Sequence, residues 1–248
     1  MAESIKRVEV NGNRYYQIKR GQQLLGLFPS VTTVLGGTSD KSGLDAWRQR
    51  VGEEEADRIS TLSMNRGTVM HRLIELYKQL PGGNEERLGL LKKVMLKDKE
   101  IKKFDTEFIE EGFKFFMKFW NNHDQFFDKI KEVLAAEKFL WSVKGGGFAG
   151  TVDNVSRLID ERVIIIDYKN SRKPKKDDWI QDYYVQASAY FVAFWERTGI
   201  RPMGAEIWIA NEIDSCPQRF TLTEKDLKHY FGIFQKRLAE FKKNEAIF

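Results

Sequence analysis

One short run of β-branched residues constrains the fold more than any other segment of the chain. Residues 163–166 are continuously apolar, as expected of a strand that is buried on both faces. The run leads directly into Asp167-Tyr168-Lys169. Side chains two residues apart on a strand point to the same face, so Asp167 and Lys169 should project together. A buried strand that ends in such a charged pair indicates a sheet with a functional site at its edge.

A second aspartate belongs to the same predicted hairpin. Asp153 lies 14 residues before Asp167, in an apolar-rich run over 148–158. Residues 159–162 separate the two runs, and their Asp-Glu pair suits a turn. The hairpin would bring Asp153 beside Asp167 and Lys169, and such a group is typical of a divalent-metal site with an adjacent cation. The alternative is a surface salt bridge at a hairpin tip, because Asp-x-Lys alone is a common tripeptide.

Short motifs at several places along the chain favour the metal site over the surface salt bridge. In chain order they are Gly67-x-x-x-His71, Gly150-x-x-Asp153, Asp167-x-Lys169 and Gln186-x-x-x-Tyr190. Together, in this order, they resemble the PD-(D/E)XK nuclease superfamily in its RecB-like exonuclease branch. The Pro-Ser-Val-Thr sequence at 29–32, followed by a helix that carries a tryptophan, is similar to the mitochondrial genome maintenance exonucleases of that branch.

The resemblance implies a fold and an activity. The fold would be α/β with mixed α+β character: a restriction-endonuclease-like core with a central mixed β-sheet flanked by helices, and a helical insertion or arch. The activity would be that of a metal-dependent DNA exonuclease, acting on single-stranded DNA with free ends in replication, recombination or repair. Its cofactor would be Mg²⁺ or Mn²⁺, and replication or recombination proteins would be its protein partners.

The motif residues acquire roles from the same resemblance and from the chemistry of phosphodiester hydrolysis. The metal ligands would be His71, Asp153, Asp167 and the backbone carbonyl of Tyr168, since neutral imidazole suits Mn²⁺ and is tolerable for Mg²⁺. The catalytic residues would be Asp153, Asp167, Lys169, Gln186 and Tyr190. Lys169 would orient water or stabilise charge at phosphorus, and the last two would position the substrate or the lysine. Glu137 is expected to support a ligand or the fold rather than to bind metal.

Hydroxyl-bearing and basic residues are the candidates for contacts to DNA. Residues 28–35 read as the start of a helix, whose hydroxyls and free amides would either hold a phosphate or only cap the helix. Arg172 and Lys173 follow the Asp-x-Lys pair in a charged loop. The predicted nucleic-acid contacts are Ser30, Thr32, Thr33, Arg66, Arg172 and Lys173.

Composition limits the class of protein. The chain has 248 residues, 42% of them apolar, which is enough for a sizeable core in a single domain over 1–248. The formal charge of +5 favours approach to a polyanion such as DNA. Cys216 is the only cysteine, which excludes a disulfide framework and the four-cysteine cluster of some RecB-like exonucleases. Three histidines and one cysteine also disfavour a hydrolase built on a nucleophile–base pair.

The sequence contains no predicted membrane or export segment. No run approaches the roughly 18–20 apolar residues of a membrane span, and the N-terminus has no apolar signal region. We therefore expect a cytoplasmic enzyme with no membrane partner, in a bacterial or phage-infected cell.

Residues 44–131 should be mostly helical. Apolar spacing predicts a helix over 44–59, a break at 63–67 and a second helix from about 68 to 80. Residues 84–131 are predicted as a helical insertion, with aromatic residues at helical spacing and six lysines between 92 and 103. This insertion would either pack beside the sheet or arch over the site with its lysines facing the DNA.

The remaining elements are predicted from alternation and capping residues. Residues 5–28 favour a short β-hairpin, and 133–141, 205–210 and 219–222 favour strands. A long helix is predicted over 179–196, and Thr223 should cap a terminal helix.

Two alternatives to the exonuclease stay open at this point. The same fold could form a structure-specific endonuclease, which would cut a circular single strand that an obligate exonuclease leaves intact. A non-catalytic nucleic-acid-binding module is the other alternative. It is less favoured because all four central residues of the motifs are present.

Overall fold

Two β-sheets are present in the computed structural model of the protein, which describes residues 3–245. The first is an antiparallel sheet of three strands: β1 (Glu3–Val10), β2 (Asn13–Arg20) and β3 (Gln23–Pro29). The sequence predicted a hairpin here. A second turn at residues 21–22 returns the chain once more, so that a third strand pairs with β2.

The second sheet has five strands arranged in sequence order. They are β4 (Ile130–Ser142), β5 (Phe148–Leu158), β6 (Val163–Ser171), β7 (Gly204–Asn211) and β8 (Gln218–Thr223). β6 and β7 are parallel, and the other neighbours are antiparallel. The sheet is therefore mixed, as expected, and the apolar run over 163–166 lies in its central strand.

Helices flank the sheet, as expected for this fold class. Within residues 3–245 the α-helices are α1 (Val31–Thr38), α2 (Ser42–Val51), α3 (Glu53–Gln79), α4 (Asn84–Met95), α5 (Thr106–Asn121), α6 (Gln181–Thr198) and α7 (Glu224–Asn244). Helices α1, α6 and α7 share one hydrophobic core with the sheet, and α3 and α5 share another.

The two cores explain why β6 is apolar at every position from 163 to 166. Ile165 packs in the core with α6 and α7, whereas Ile164 and Ile166 pack in the core with α3 and α5. Each of these side chains is at most 1% exposed. Because both faces of the strand are covered, no position is left for the polar residues of a half-exposed strand.

The predicted helix break at 63–67 is wrong, because α3 runs through it without interruption. The break lies earlier, at Gly52, whose φ of +88° ends α2 and begins α3. Ser, Met, Asn and Arg at 63–66 are compatible with a helix, and the cost of about 1 kcal/mol for a helical glycine at position 67 is offset by packing.

Aromatic residues of α5 form much of the second core. Phe116 and Phe119 are fully buried, and the ring of Phe119 lies 6.3 Å from that of Trp208 on β7. These side chains therefore pack against the sheet and α3, as aromatic residues at helical spacing usually do. All six lysines of the segment are exposed: Lys92, Lys93, Lys97, Lys99, Lys102 and Lys103.

The other predicted elements are present in the structure with small shifts at their ends. Thr223 Oγ1 accepts a hydrogen bond from the backbone of Asp226, and the carboxylate of Asp226 accepts one from the backbone of Thr223. This capping box confirms the predicted start of the terminal helix. None of the helices in residues 3–245 is both long and apolar enough to cross a membrane.

Replacing Phe116 by Ala tests whether α5 is a core element. The ring is fully buried, so its removal should leave a cavity and lower the free energy of unfolding by about 3–5 kcal/mol. Phe108→Ala, on the same helix but half-buried and outside the cores, should cost much less. Urea unfolding followed by circular dichroism measures both values. Equally small losses for the two variants would contradict this packing.

Candidate active site

The candidate site lies where β5 and β6 separate, a point that we call the fork. The two strands pair over four residue pairs, from Arg157↔Val163 to Asn154↔Ile166. Beyond the last pair, β5 continues only with β4, and β6 continues with β7 as far as Ser171. Asp153 and Asp167 are the first residues after the separation, so the fork presents both carboxylates.

Asp153 connects the two separated strands through its side chain. Its Oδ2 accepts a hydrogen bond from the backbone amide of Tyr168 at 2.9 Å. The carboxylate thus replaces the backbone partner that a continuous ladder would have supplied. This contact fixes the orientation of Asp153 relative to β6.

His71 reaches the fork from α3. Its Nε2 donates to the backbone carbonyl of Tyr168 at 2.8 Å, because a carbonyl can only accept. Its Nδ1 lies 3.6 Å from Asp153 Oδ2 and 3.7 Å from Glu137 Oε1. One ring nitrogen held by a backbone carbonyl, with the other directed at carboxylates, is the usual arrangement of a metal-ligating histidine.

Glu137 is a member of this cluster, although the sequence analysis expected only a supporting role. It lies on β4 opposite Asp153, between the pairs Ala136↔Asn154 and Lys138↔Val152. One ligand atom from each of His71, Glu137 and Asp153 lies within 4.8 Å of the others. Like charges directly opposite each other on neighbouring strands are destabilising, so this pair of carboxylates favours a bound cation.

Asp167 and Lys169 form an ion pair on the other side of the fork. Lys169 Nζ lies 2.5 Å from Asp167 Oδ2, and the two side chains are 19% and 2% exposed. Among the described residues, neither carboxylate oxygen of Asp167 has a well-oriented hydrogen bond. Buried carboxylate oxygens without such bonds are costly, which indicates that another group completes their coordination.

The donor set of this fork fits a divalent metal. Carboxylate oxygens are the preferred ligands of Mg²⁺ and Mn²⁺, and imidazole is compatible with Mn²⁺. Oδ1 of Asp167, which has no hydrogen-bond partner among the described residues, and the clustered donors of His71, Glu137 and Asp153 offer such ligands. Of the predicted ligands, His71 and Asp153 lie in this cluster and the carbonyl of Tyr168 accepts from His71, whereas Asp167 is not among the residues whose ligand atoms lie within 4.8 Å of one another.

Electrostatics at the fork also favour a cation. Burial opposes protonation of His71, but the carboxylates of Asp153 and Glu137 outweigh it and raise the pKa of the imidazole to about 9. Burial raises the pKa of Asp167 to about 6, against the opposing effect of Lys169. In the metal-free protein a proton on His71 therefore supplies the positive charge that the carboxylates attract.

Gln186 and Tyr190 lie on α6, and both are buried. Burial, together with the charges of Asp153 and Asp167, raises the pKa of Tyr190. A Cβ at Gly150 would lie 2.8 Å from the Tyr190 hydroxyl, so only glycine lets that hydroxyl approach β5. This contact gives the physical reason for glycine in the Gly150-x-x-Asp153 motif.

The glycine of the first motif has a similar explanation. A Cβ at Gly67 would lie 2.4 Å from Nδ2 of Asn170, near the end of β6. Glycine at this position leaves room for the side-chain amide of Asn170, one turn before His71. Both motif glycines therefore leave room for a polar side chain from a neighbouring element.

A sequence model of the PD-(D/E)XK nuclease superfamily matches residues 39–246. The chain belongs to the PD-(D/E)XK nuclease superfamily. Proteins of this superfamily are nucleases that use divalent metals. The mixed sheet flanked by helices confirms the restriction-endonuclease-like fold expected from the sequence.

Two solved structures are similar to parts of this PD-(D/E)XK chain. A protein from Eubacterium rectale named "Putative exonuclease" is 13% identical, with a TM-score of 0.46, and the match covers 73% of this chain and 68% of the other. The protein SSO0001 is 15% identical, with a TM-score of 0.34, and the match covers 44% of this chain and 50% of the other. None of the curated proteins compared with the chain matches it.

Arg66, a predicted DNA contact of this PD-(D/E)XK protein, lies inside the fold. It is 1% exposed. Its guanidinium donates hydrogen bonds to Glu212 Oε1 at 2.5 Å and to Asn170 Oδ1 at 2.8 Å. The same group lies 4.2 Å from the centroid of the Phe115 ring. The structure therefore gives Arg66 a packing role between α3, α5 and the end of β6, and does not bring it to the surface.

The predicted phosphate contacts at the start of α1 form a small hydroxyl cluster. Ser30 Oγ accepts from the backbone amide of Thr33 at 3.0 Å, which caps the helix. Arg14, which the sequence analysis missed, donates to Thr32 Oγ1 at 2.5 Å and to Ser30 Oγ at 3.3 Å. Ser30 also forms an isolated bridge with Ala149, so the cluster lies beside β5, next to Gly150.

Replacing Glu137 by Gln tests its place in the metal cluster. The substitution keeps the size of the side chain but removes one of the three clustered donors, so affinity for Mn²⁺ should fall about tenfold or more. Glu132→Gln is the matched control, because Glu132 lies on the same strand, is exposed and pairs with Arg157. Isothermal titration calorimetry measures both. Unchanged Mn²⁺ affinity in Glu137→Gln would exclude Glu137 as a metal ligand.

The pKa of His71 predicts how metal affinity depends on pH. A protonated imidazole cannot bind metal. Because Asp153 and Glu137 raise the pKa of His71 to about 9, metal binding at neutral pH must displace a proton from this side chain. Apparent Mn²⁺ affinity should therefore rise as the pH increases from 6 to 8, by about tenfold per unit from this group. The dependence should be much weaker in His71→Ala. Parallel pH profiles for the two proteins would contradict this assignment.

Proposed function

We propose that this protein is a divalent-metal-dependent DNA exonuclease that hydrolyses phosphodiester bonds of single-stranded DNA from a free end. The observation that carries the proposal is the convergence of His71, Glu137 and Asp153 beside the Asp167–Lys169 pair. Three carboxylates around one fork disfavour the metal-free fold unless positive charge neutralises them. Membership of a nuclease superfamily supports the same function.

The proposed cofactor is Mg²⁺ or Mn²⁺, held by residues at the fork. The ligands would be His71, Asp153, Asp167 and the carbonyl of Tyr168, and we add Glu137 to this set. A carbonyl oxygen has two lone pairs, so that of Tyr168 could serve a metal while it accepts from His71. When bound, the metal would supply Lewis acidity toward the phosphate and toward water.

Lys169 is the proposed electrostatic catalyst. Burial lowers its pKa, but Asp167 and Asp153 outweigh this and raise it, so the ammonium group stays charged at neutral pH. A charged donor beside the carboxylates can orient the attacking water or stabilise the negative charge that develops at phosphorus. Gln186 and Tyr190 would position the substrate or the lysine from α6.

Contacts to the DNA strand are proposed on both sides of this centre. Thr32, with Thr33 and Arg14, would hold a phosphate near the start of α1, whereas Ser30 is 1% exposed and caps the helix. Arg172 and Lys173 are exposed just beyond β6 and would hold phosphates there. The enzyme would act in replication, recombination or repair in the cytoplasm of a bacterial or phage-infected cell, with proteins of those processes as partners.

End-labelled linear DNA and circular single-stranded DNA, each incubated with Mg²⁺ or Mn²⁺, test the proposal. Linear single strands should be degraded and circular strands should stay intact, because an exonuclease needs a free end. Lys169→Ala should slow degradation by about 10²- to 10³-fold, since it removes an electrostatic stabiliser. Gel analysis of time courses measures both effects.

Lys131→Ala provides the matched control, because Lys131 is exposed on β4 and, within residues 3–245, forms an ion pair only with Glu161. This variant should degrade DNA at the wild-type rate. Cleavage of circular strands would instead indicate an endonuclease of the same fold. Binding without cleavage under either metal would indicate a non-catalytic module.

A further inference from the structure

A groove of about 560 Å³ opens beside the catalytic pair. Aromatic and basic side chains dominate its lining, so we call it the aromatic–basic groove: Trp47, Arg50, Arg172, Lys175, Trp179 and Tyr183. Lys173 also lines it, and none of its lining residues is acidic. The groove therefore combines flat ring surfaces with basic side chains, of which Arg172 has its Nε 4.0 Å from a carboxylate oxygen of Glu212, outside the lining.

Trp179 is the most unusual residue of this groove. It is 61% exposed, although burying a tryptophan ring is among the most favourable contributions to folding. Lys176 Nζ lies 5.3 Å from the centroid of its ring, so a positive charge accompanies the exposed surface. An exposed ring with an adjacent cation is the combination that binds a nucleobase and its phosphate.

The groove is continuous with the proposed catalytic centre. Tyr183 lines it, and Lys169 Nζ lies 5.1 Å from the centroid of the Tyr183 ring. Asn170 and Ser171, which follow Lys169 on β6, also line the groove. A strand bound in the groove would therefore enter the fork on the side of Lys169.

The opposite side of the fork has a different charge. A second cavity of about 420 Å³ contains His71 and three carboxylates, from Glu75, Glu100 and Glu137. Its only guanidinium, that of Arg72, is already paired with Glu75 and with Asp98. A polyanion is therefore attracted to the aromatic–basic groove and repelled from this acidic cavity, which gives the strand a direction across the site.

We propose that the aromatic–basic groove binds unpaired nucleotides of a DNA strand next to the scissile phosphate. Trp179 and Trp47 would stack on bases, and Arg50, Arg172 and the lysines would neutralise phosphates. The proposal rests on the proposed function and deepens it, because it assigns the preference for single strands to one site. The bases of a duplex are already stacked on each other, so only an unpaired strand can offer a free base face.

Binding measured without metal tests this groove independently of cleavage. Fluorescence anisotropy in EDTA would compare oligothymidylate with an abasic oligomer of equal length, which keeps the phosphates but lacks the bases. Trp179→Ala should bind oligothymidylate roughly tenfold more weakly than wild type does. The two proteins should bind the abasic oligomer equally. Trp179→Phe should retain most of the affinity, because it keeps an aromatic ring.

Trp195→Ala is the matched control. Trp195 lies toward the far end of α6 and outside the groove, is 36% exposed, and has the guanidinium of Arg201 4.8 Å from its ring centroid. Its loss should leave the affinity for both oligomers unchanged. An equal effect of the two tryptophan substitutions would overturn the assignment of the groove.

A charge substitution separates the phosphate contacts from the stacking contacts. Arg172→Ala should weaken binding of both oligomers by the same factor and reduce the slope of log affinity against log salt by about 0.7. If Trp179→Ala lowered affinity for both oligomers equally, or if duplex DNA bound as tightly as single strands, the stacking proposal would be refuted.

The two proposals fail in distinguishable ways. A wild-type protein that shows the predicted binding pattern in EDTA, but never cuts DNA with Mg²⁺ or Mn²⁺, refutes the nuclease and supports the groove. A protein that cuts DNA while Trp179→Ala binds oligothymidylate as wild type does supports the nuclease and refutes the groove.

Discussion

The rest of the site depends on how the structure satisfies the backbone of Tyr168 at the fork. A continuous ladder between β5 and β6 would pair its amide and carbonyl groups, but the two strands separate just before it. Buried backbone groups must be paired, because an unpaired one costs as much as a lost hydrogen bond. Asp153 accepts from the amide and His71 donates to the carbonyl. Asp153 and His71 therefore pair the backbone groups that are left free at the fork. Both residues also belong to the candidate metal cluster.

Charge is distributed unequally around this centre. On the side of His71, carboxylates concentrate and favour a cation, whereas on the side of Lys169 exposed arginine and lysine side chains continue along the aromatic–basic groove. The Asp167–Lys169 pair lies between the two regions, with Asp167 buried and Lys169 partly exposed. Acidic side chains therefore surround the candidate metal ligands, and basic side chains line the groove on the side of Lys169.

The positions of Asp167 and Lys169 at the end of a buried strand were predictable from the sequence. The apolar run over 163–166 and the two-residue alternation of strands were enough to place Asp167 and Lys169 together. Glu137 could also have been found. Counting back across the glycine turn at 145–147 puts it opposite Asp153 in an antiparallel register. The sequence analysis did not make that count, and so treated Glu137 as a supporting residue.

Other features depend on contacts that no local pattern reveals. The burial of Arg66 requires Asn170 and Glu212, which are 104 and 146 residues away in the chain. The need for glycine at position 67 likewise depends on Asn170, whose side-chain amide occupies the space that a Cβ would take. The orientation of α5 toward the sheet rather than over the site was also open, because aromatic residues at helical spacing and exposed lysines fit both arrangements.

Anomalous diffraction from crystals soaked in Mn²⁺ tests the central claim most directly. The account predicts an anomalous peak at the fork, bonded to His71 through Nδ1 and to carboxylate oxygens of Asp153 and Glu137, while Nε2 of His71 stays hydrogen-bonded to the carbonyl of Tyr168. A peak bonded to Nε2, or Mn²⁺ bound only at carboxylates away from the fork, would contradict the account.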